Sequence, residues 1–351
     1  MMSGFAVYRL PYADYATIVE QTSGEPSELL SCKELNERRG FVVAPFEVRA
    51  DQPILLIRPD RVEQLPIKSI PYRAQESENF NRDAVPNSTY AIDFANYHAQ
   101  LSLGAFRKIV LARCAEETVE EAVDPMVYFH TACNLYPRMF IALVYTERSG
   151  FWLTATPEIL LEGGNHHWRT IALAGTMRLE GENLKGEGES VSWSTKNIQE
   201  QRYVATYIAE CLEQFTRDFH EEGPYTVRAA NLVHLRSDFN FTLPSDNHIG
   251  DLLQQLHPTP AVCGLPKREA FQFIVRNEHT PRRYYSGFMG MLDSEGDTHL
   301  YVSLRCMNIT DYRYYLYAGG GLLKDSVLEQ EWQETEAKLE TMRRCIAVKK
   351  T

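Results

Sequence analysis

Apolar residues recur along this 351-residue chain in two distinct rhythms. From residue 1 to 72, short apolar runs such as FVVAPF and ILLIRP alternate with turn residues, which predicts a β-rich segment. Residues 74–88 (AQESENFNRDAVPNS) turn polar and predict a surface loop. Ser88 then offers a cap for a helix carrying Ile92, Ala95 and Leu101. FRKIVLARC predicts a strand, followed by a helix over 124–136 and strands over 139–146 and 151–154. The charged, Gly-rich stretch 180–192 predicts a mobile loop, and it lacks the GK[ST] of a phosphate cradle. A long helix is predicted from about 196 to 220, with Val204, Ile208, Leu212 and Phe215 inward, and another over 267–277. Strands over 284–292 and 299–307 predict a hairpin about a D-S-E-G-D turn. A strand over 312–318 runs into Gly319, Gly320 and Gly321, and a last helix from near Val327 turns Trp332, Leu339 and Met342 inward. Strands and helices fall in blocks and hairpins dominate. That predicts an α+β fold with antiparallel sheets, not a doubly wound parallel one.

Composition narrows the possible functions. The length admits one large domain or two ordinary ones, and the 44% hydrophobic content suffices for a full core. A formal net charge of −11 with no basic stripe argues against nucleic-acid binding. An acidic enzyme with an anionic substrate must therefore concentrate positive charge locally. The seven scattered cysteines contain no CxxC pair and point to neither a zinc ribbon nor a disulfide framework; they read as small buried hydrophobes. No apolar run reaches signal-peptide or transmembrane length, which predicts a cytoplasmic protein with no membrane partner.

Two stretches then draw the eye to chemistry. LHPTPAVCG, residues 256–264, is a proline-pinned loop of small residues. EQEWQETEAK, residues 329–338, sets Glu331, Glu334 and Lys338 at i, i+3 and i+7 on one side of a helix. Together they offer carboxylates for a hard cation and a positive charge for an anion, although Glu334 and Lys338 also read as an ordinary surface pair. Lys108 shares a strand face with Phe106, Val110 and Ala112, so it reads either as a desolvated base or as an edge lysine reaching water. Glu158, in TATPEILLEG, reads as a general acid or as a turn glutamate. Glu200 shares the inward face of Val204 and Ile208 and needs a partner, either Mg2+ or a basic side chain. ALAGT (172–176) and AGGG (318–321) read as small-residue turns where backbone N–H groups can approach a ligand. Arg305 can grip a carboxylate, Tyr285 can add a hydroxyl, and each has a packing alternative. His166 and His167 read as surface.

The order of these pieces matters more than any one of them. KIVLAR, TPEILLE, ALAGTMR, KNIQEQ, VHLRS, LHPTPAVCGLP, YYSGFMG, SLRC, AGGGLL and EWQETEAK, over residues from about 90 to 345, resemble the chorismate-binding enzymes. Those include isochorismate synthase, salicylate synthase and the synthase components that make anthranilate and aminodeoxychorismate. The resemblance implies one domain over 1–351, with 1–85 a variable β-rich part and 90–345 the catalytic part, and a fold of antiparallel sheets packed face to face and flanked by helices. Lys108 stands where water-adding members have lysine and anthranilate synthases usually have glutamine. Ala174 stands where aminodeoxychorismate synthases often carry a nucleophilic lysine, and Ala261 matches the isochorismate and salicylate group. The implied activity is Mg2+-dependent isochorismate synthesis for menaquinone or siderophore biosynthesis, with salicylate synthesis as the alternative. The resemblance assigns Lys108 as base and Glu158 as acid. It puts Glu200 and Glu334, with Glu331 through water, on Mg2+, and Gly175, Thr176, Ala261, Tyr285, Arg305, Gly319 and Lys338 on chorismate. It implies a monomer without a glutamine amidotransferase subunit. The chain departs from the usual pattern at Gln201, Thr156, Met177 and Ser303, which touches substrate positioning more than the charged groups.

Overall fold

A computed structural model describes residues 3–68, 85–119, 122–178, 192–229, 232–294 and 296–346. Two nine-stranded antiparallel sheets form its centre. The first runs β14 (Gly264–Leu265), β7 (Lys108–Thr118), β18 (Arg313–Leu322), β17 (Cys306–Ile309), β9 (Gly150–Thr156), β8 (Phe140–Thr146), β1 (Gly4–Arg9), β2 (Tyr15–Gln21), β6 (Arg61–Pro66). The second runs β12 (Phe219–Ala229), β13 (Leu232–Thr242), β11 (His167–Arg178), β10 (Ile159–Gly164), β16 (Thr298–Val302), β15 (Phe288–Leu292), β4 (Gly40–Ala44), β5 (Ile54–Ile57), β3 (Ser27–Leu29). Runs such as FVVA and ILLI show no polar alternation because both of their faces are covered. Phe41, Val43, Phe140, Trp152 and Tyr301 fill the layer between the sheets.

Helices cover the outer faces. α2 (Pro125–Leu135) and α6 (Leu328–Ile346) lie on the first sheet through Phe129, Leu339 and Met342. α1 (Ser88–Ser102) and α5 (Lys267–Asn277) pack around Ile109 and Leu111 of β7. α3 (Thr195–Leu212) and α4 (Ile249–Leu256) cover the second sheet with Val204, Ile208 and Leu253. The α+β, face-to-face architecture is therefore as expected. Residues 4–66 supply outer strands to both sheets, so this N-terminal stretch is built into the same layers.

Six local expectations are corrected. α1 is capped by Asn87, whose side chain accepts from Tyr90 N at 2.8 Å, not by Ser88. Its buried side is Tyr90, Phe94, Tyr97 and Leu101, leaving Ile92 54% exposed and Ala95 in solvent; the large aromatics find ring partners in Trp332 and Phe273. α3 ends at Leu212 rather than 220, because residues from Phe219 onward are captured as an edge strand by β13. ALAGT and AGGG are not turns but lie inside β11 and β18. The predicted strand over 299–307 is two strands: β16 and β17 belong to different sheets, and the chain crosses between them at Ser303, Leu304 and Arg305, with Arg305 at φ 46°. The partner strand over 284–292 starts only at Phe288. Residues 180–191 of the predicted mobile loop and 74–84 of the predicted surface loop lie outside the described residues.

Candidate active site

A narrow cleft of about 60 Å3 opens where the two sheets meet beneath α3 and α6. Glu158, Gly175, Thr176, Glu200, Ala261, Tyr285, Arg305, Gly319 and Lys338 all line it. Lys108 stands just behind, against Glu200. Of the other residues expected at the site, Glu331 and Glu334 are not part of this lining but lie beside Gly320, next to the lining residue Gly321.

Lys108 opens β7 and pairs with Leu265 of the two-residue edge strand β14, so its side chain is 0% exposed and does not reach water. Its Nζ lies 2.9 Å from Glu200 Oε1, but without hydrogen-bond alignment, so the ammonium has no well-formed acceptor among the described residues. Glu200 sits on the second turn of α3, whose first turn is capped by Ser194 accepting from Asn197 N at 3.2 Å. Burial pushes the Glu200 carboxyl up, but Lys108, Lys338 and Lys196 together pull it below the ordinary glutamate value. Glycine makes this pair possible. A Cβ on Gly321 would lie 2.2 Å from Glu200 Oε1 and 2.8 Å from Lys108 Cε.

Two further carboxylates approach the same glycine strand from α6. Glu331 is 1% exposed; Lys196 Nζ donates to its Oε1 at 2.5 Å. Its Oε2 has no well-formed hydrogen bond, only the Ser326 hydroxyl nearby. Burial and then the neighbouring Glu334 push Glu331 above the ordinary value, and Lys196 opposes them. Glu334 Oε1 accepts from Lys338 Nζ at 2.7 Å, and the same ammonium donates to Gly319 O at 2.8 Å. A Cβ on Gly320 would meet Glu331 Oε2 at 3.1 Å and Glu334 Oε1 at 3.8 Å. Each of the three glutamates is therefore turned to its own lysine, and among the described residues they do not converge as a preassembled three-ligand metal site. The donor set still suits a hard cation. The buried Glu331 and the partly exposed Glu334 repel each other and one Glu331 oxygen is unpartnered, while Mg2+ needs only one or two protein carboxylates beside water or substrate oxygens.

The opposite end of the cleft is built for an anion. Arg305 is buried, makes no ion pair with a carboxylate among the described residues, and donates from Nη2 to His234 Nε2 at 2.6 Å. That bond leaves Nδ1 as the protonated ring nitrogen, donating to Gly175 O at 3.2 Å. Burial, then Arg305 and Lys338, hold His234 well below the ordinary histidine value. Gly175 is the bulge of β11, at φ 72°, between Ala174 and Thr176. Tyr285 is buried, and its hydroxyl lies against Gly319, where a Cβ would approach within 2.7 Å. Between the two ends lies Glu158, 3% exposed, pushed up to about 8 by burial despite Lys108, Arg305 and Lys338. A carboxyl neutral at pH 7 can donate a proton.

Three supporting residues escaped sequence reasoning. His234 lay inside the motif VHLRS, yet nothing local tied it to Arg305, 71 positions away. Lys196 lay inside KNIQEQ with no signal beyond its helix spacing to Glu200. Arg282 donates to Val110 O at 2.8 Å and Val262 O at 2.7 Å while paired to Glu278, so it clips the LHPTPAVCG loop to the Lys108 strand. Gln201, one of the departures, is buried and donates to Ala172 O at 3.0 Å, tying α3 to β11. Thr156 Oγ1 accepts from Glu158 N at 3.2 Å. His166 and His167 are exposed. All seven cysteines are free and all but Cys114 are buried. No helix among the described residues is long and apolar enough to cross a membrane.

Known proteins resemble this chain in sequence and in fold. A sequence-family model described as "Chorismate binding enzyme" matches residues 50–347. Isochorismate synthase EntC of Escherichia coli K12 is 29% identical over 274 residues, covering 77% of this chain and 70% of that one. Isochorismate synthase DhbC of Bacillus subtilis is 28% identical over 355 residues, covering 97% and 89%. The salicylate biosynthesis isochorismate synthase of Pseudomonas aeruginosa is 32% identical over 247 residues, covering 70% and 52%. Among solved structures, a putative 2,3-dihydroxybenzoate-specific isochorismate synthase from Bacillus anthracis superposes with a TM-score of 0.82 at 20% identity, covering 99% of this chain and 97% of that one. At this identity the likeness establishes the fold.

Proposed function

The chain belongs to the chorismate-binding enzymes, and from that premise we propose that it is an isochorismate synthase: water adds at C2 of chorismate and the C4 hydroxyl departs as water. The observation that carries this reading is the pairing of a buried lysine with a buried, neutral carboxylic acid beside one cleft, Lys108 and Glu158. Lys108 Nζ holds the attacking water and takes its proton, which requires that Glu200's charge be engaged elsewhere at that moment. Glu158 gives its proton to the leaving C4 oxygen. Arg305, held by His234, grips the enolpyruvyl carboxylate with the Tyr285 hydroxyl, and Lys338 with the backbone of Gly175, Thr176 and Gly319 adds further anion contacts. Ala261 closes the ring side of the cleft and offers no donor for an amine. Glu200 and Glu334, with Glu331 through water, would hold Mg2+, which supplies charge neutralisation for the ring carboxylate.

The product serves either menaquinone or siderophore synthesis; relatives carry both designations, such as the menaquinone-specific MenF of E. coli and the vibriobactin-specific enzyme of Vibrio cholerae. We read the protein as a monomer without an amidotransferase subunit, since Lys108 and Ala174 favour water over ammonia. Incubation with chorismate and Mg2+, followed by chromatography, should yield isochorismate. Salicylate as the main product, or aminated product when ammonia is added, would overturn the reading.

A further inference from the structure

Three lysines answer three carboxylates around Gly320 and Gly321, but they are not equivalent. Lys108 is fully buried on Glu200, and Lys338 is also fixed by the Gly319 carbonyl, with 17% of its side chain exposed. Among the described residues Lys196 has no second acceptor: its hydrogen bond is to Glu331, and 30% of its side chain is exposed. It lies on the first turn of α3, where it feels Glu331, Glu334 and Glu200 together. A partly exposed lysine with a single polar partner can swing its ammonium into solvent once another cation takes its place on Glu331, because the hydration lost on pairing is then regained. Neither of the other two can do so. The oxygen that Lys196 leaves unpartnered, Glu331 Oε2, is the one directed at Gly320, towards Glu334.

We propose that Lys196 is a displaceable internal counter-ion. It neutralises Glu331 while the acid end holds no metal and releases that carboxylate when a divalent cation binds, so that it sets how tightly the cation is held. The idea rests on the reading of the acid end as a Mg2+ site. It adds a residue that touches neither metal nor substrate and acts through Glu331. Like charges at one set of oxygens compete, so the lysine's presence must weaken the cation's affinity and its removal must strengthen it.

The test is calorimetric titration of the whole protein with Mg2+ alone, without chorismate, so that a failure of turnover is separate from a failure here. Lys196→Met should bind Mg2+ about tenfold more tightly than the unaltered protein or better, whereas Lys196→Arg, which keeps the charge, should bind no more tightly. Should Lys196→Met fold poorly with Glu331 left bare, Lys196→Gln retains a hydrogen bond without the charge and should show the same gain. In a Glu331→Gln background the gain should disappear. Unchanged or weaker Mg2+ binding by folded Lys196→Gln would overturn the proposal. So would a gain that persists in Glu331→Gln, which would make Lys196 a remote charge and not the partner of Glu331. Tight binding by Lys196→Gln where the unaltered protein binds none would support it.

Discussion

At one end of the cleft Arg305 is a buried cation with no carboxylate in ion-pair contact among the described residues; at the other, Glu331 is a buried carboxylate with an unpartnered oxygen. The anion end is rigid and finished. Its guanidinium is oriented by a histidine whose tautomer is fixed by a bulge carbonyl, and the bulge itself needs glycine. The acid end is provisional, each glutamate satisfied by a lysine that belongs to the chain. The difference follows from what each end must receive. A substrate carboxylate brings its own charge to Arg305, so an empty arginine waits at tolerable cost: burial lowers its pKa only to about 10 and leaves it protonated at pH 7. Three carboxylates facing one strand cannot wait in that way, because bare buried anions repel and desolvate one another. Internal lysines hold them until an outside cation arrives.

The sharpest way to break this comparison is at Lys108, which touches both the acid end and the proposed chemistry. Lys108→Gln should lower kcat for isochorismate formation by about 10²–10⁴-fold, the usual weight of one positioned base. Turnover within a few-fold of the unaltered enzyme would show that Lys108 is only a counter-ion for Glu200, as Lys196 is for Glu331.

A smaller effect is expected at the anion end. Arg305→Lys keeps the charge but loses the planar fork and the His234 bond. KM for chorismate should rise about 10–100-fold, the weight of a charge-assisted bond of roughly 1.5–3 kcal/mol, with kcat changed less. A kcat loss at constant KM would move Arg305 from binding to the reacting centre.

The two ends were unequally legible in the sequence. The acid end could be read from spacing, because Glu331, Glu334 and Lys338 lie on one helix and i, i+3, i+7 fixes a common side. Lys108 was legible as a lysine on an apolar face, but whether that face was buried depended on β14, a two-residue strand no pattern announces. The anion end is assembled from distant pieces: a bulge in β11, His234 in β13, and Arg305 where the chain leaves one sheet for the other. Periodicity tells which way a residue faces, not which strand lies beside it or where a strand changes sheets. The glycines misled for a physical reason. Propensity reads AGGG as a turn, whereas here the missing side chains make room for carboxylates and a tyrosine hydroxyl beside an extended strand. In α1 the aliphatic Ile92 looked like core, but Tyr90, Phe94 and Tyr97 bury more surface and set the helix rotation.

The smallest expected signal comes from Glu158, which lies between the ends and is pushed up by burial while both ends pull it down. Its carboxyl rises from an ordinary 4.5 to about 8 in the folded protein. Between those values the native state holds a proton that the unfolded chain has released, so this residue makes stability fall as pH rises through that window. Below about 4.5 both states are protonated, and above about 8 both are ionised, so the slope ends at each limit. Glu158→Gln removes the titration while keeping the shape. The Tm of Glu158→Gln should therefore gain on that of the unaltered protein by a few degrees between pH 5 and pH 8, read by calorimetry without substrate or metal. Activity should show the complementary trend: general-acid function in the unaltered enzyme fades above about pH 8 as the proton is lost. Parallel Tm curves across that range would mean that Arg305 and Lys338 outweigh burial, keeping Glu158 ionised and extending the positive end across the whole cleft.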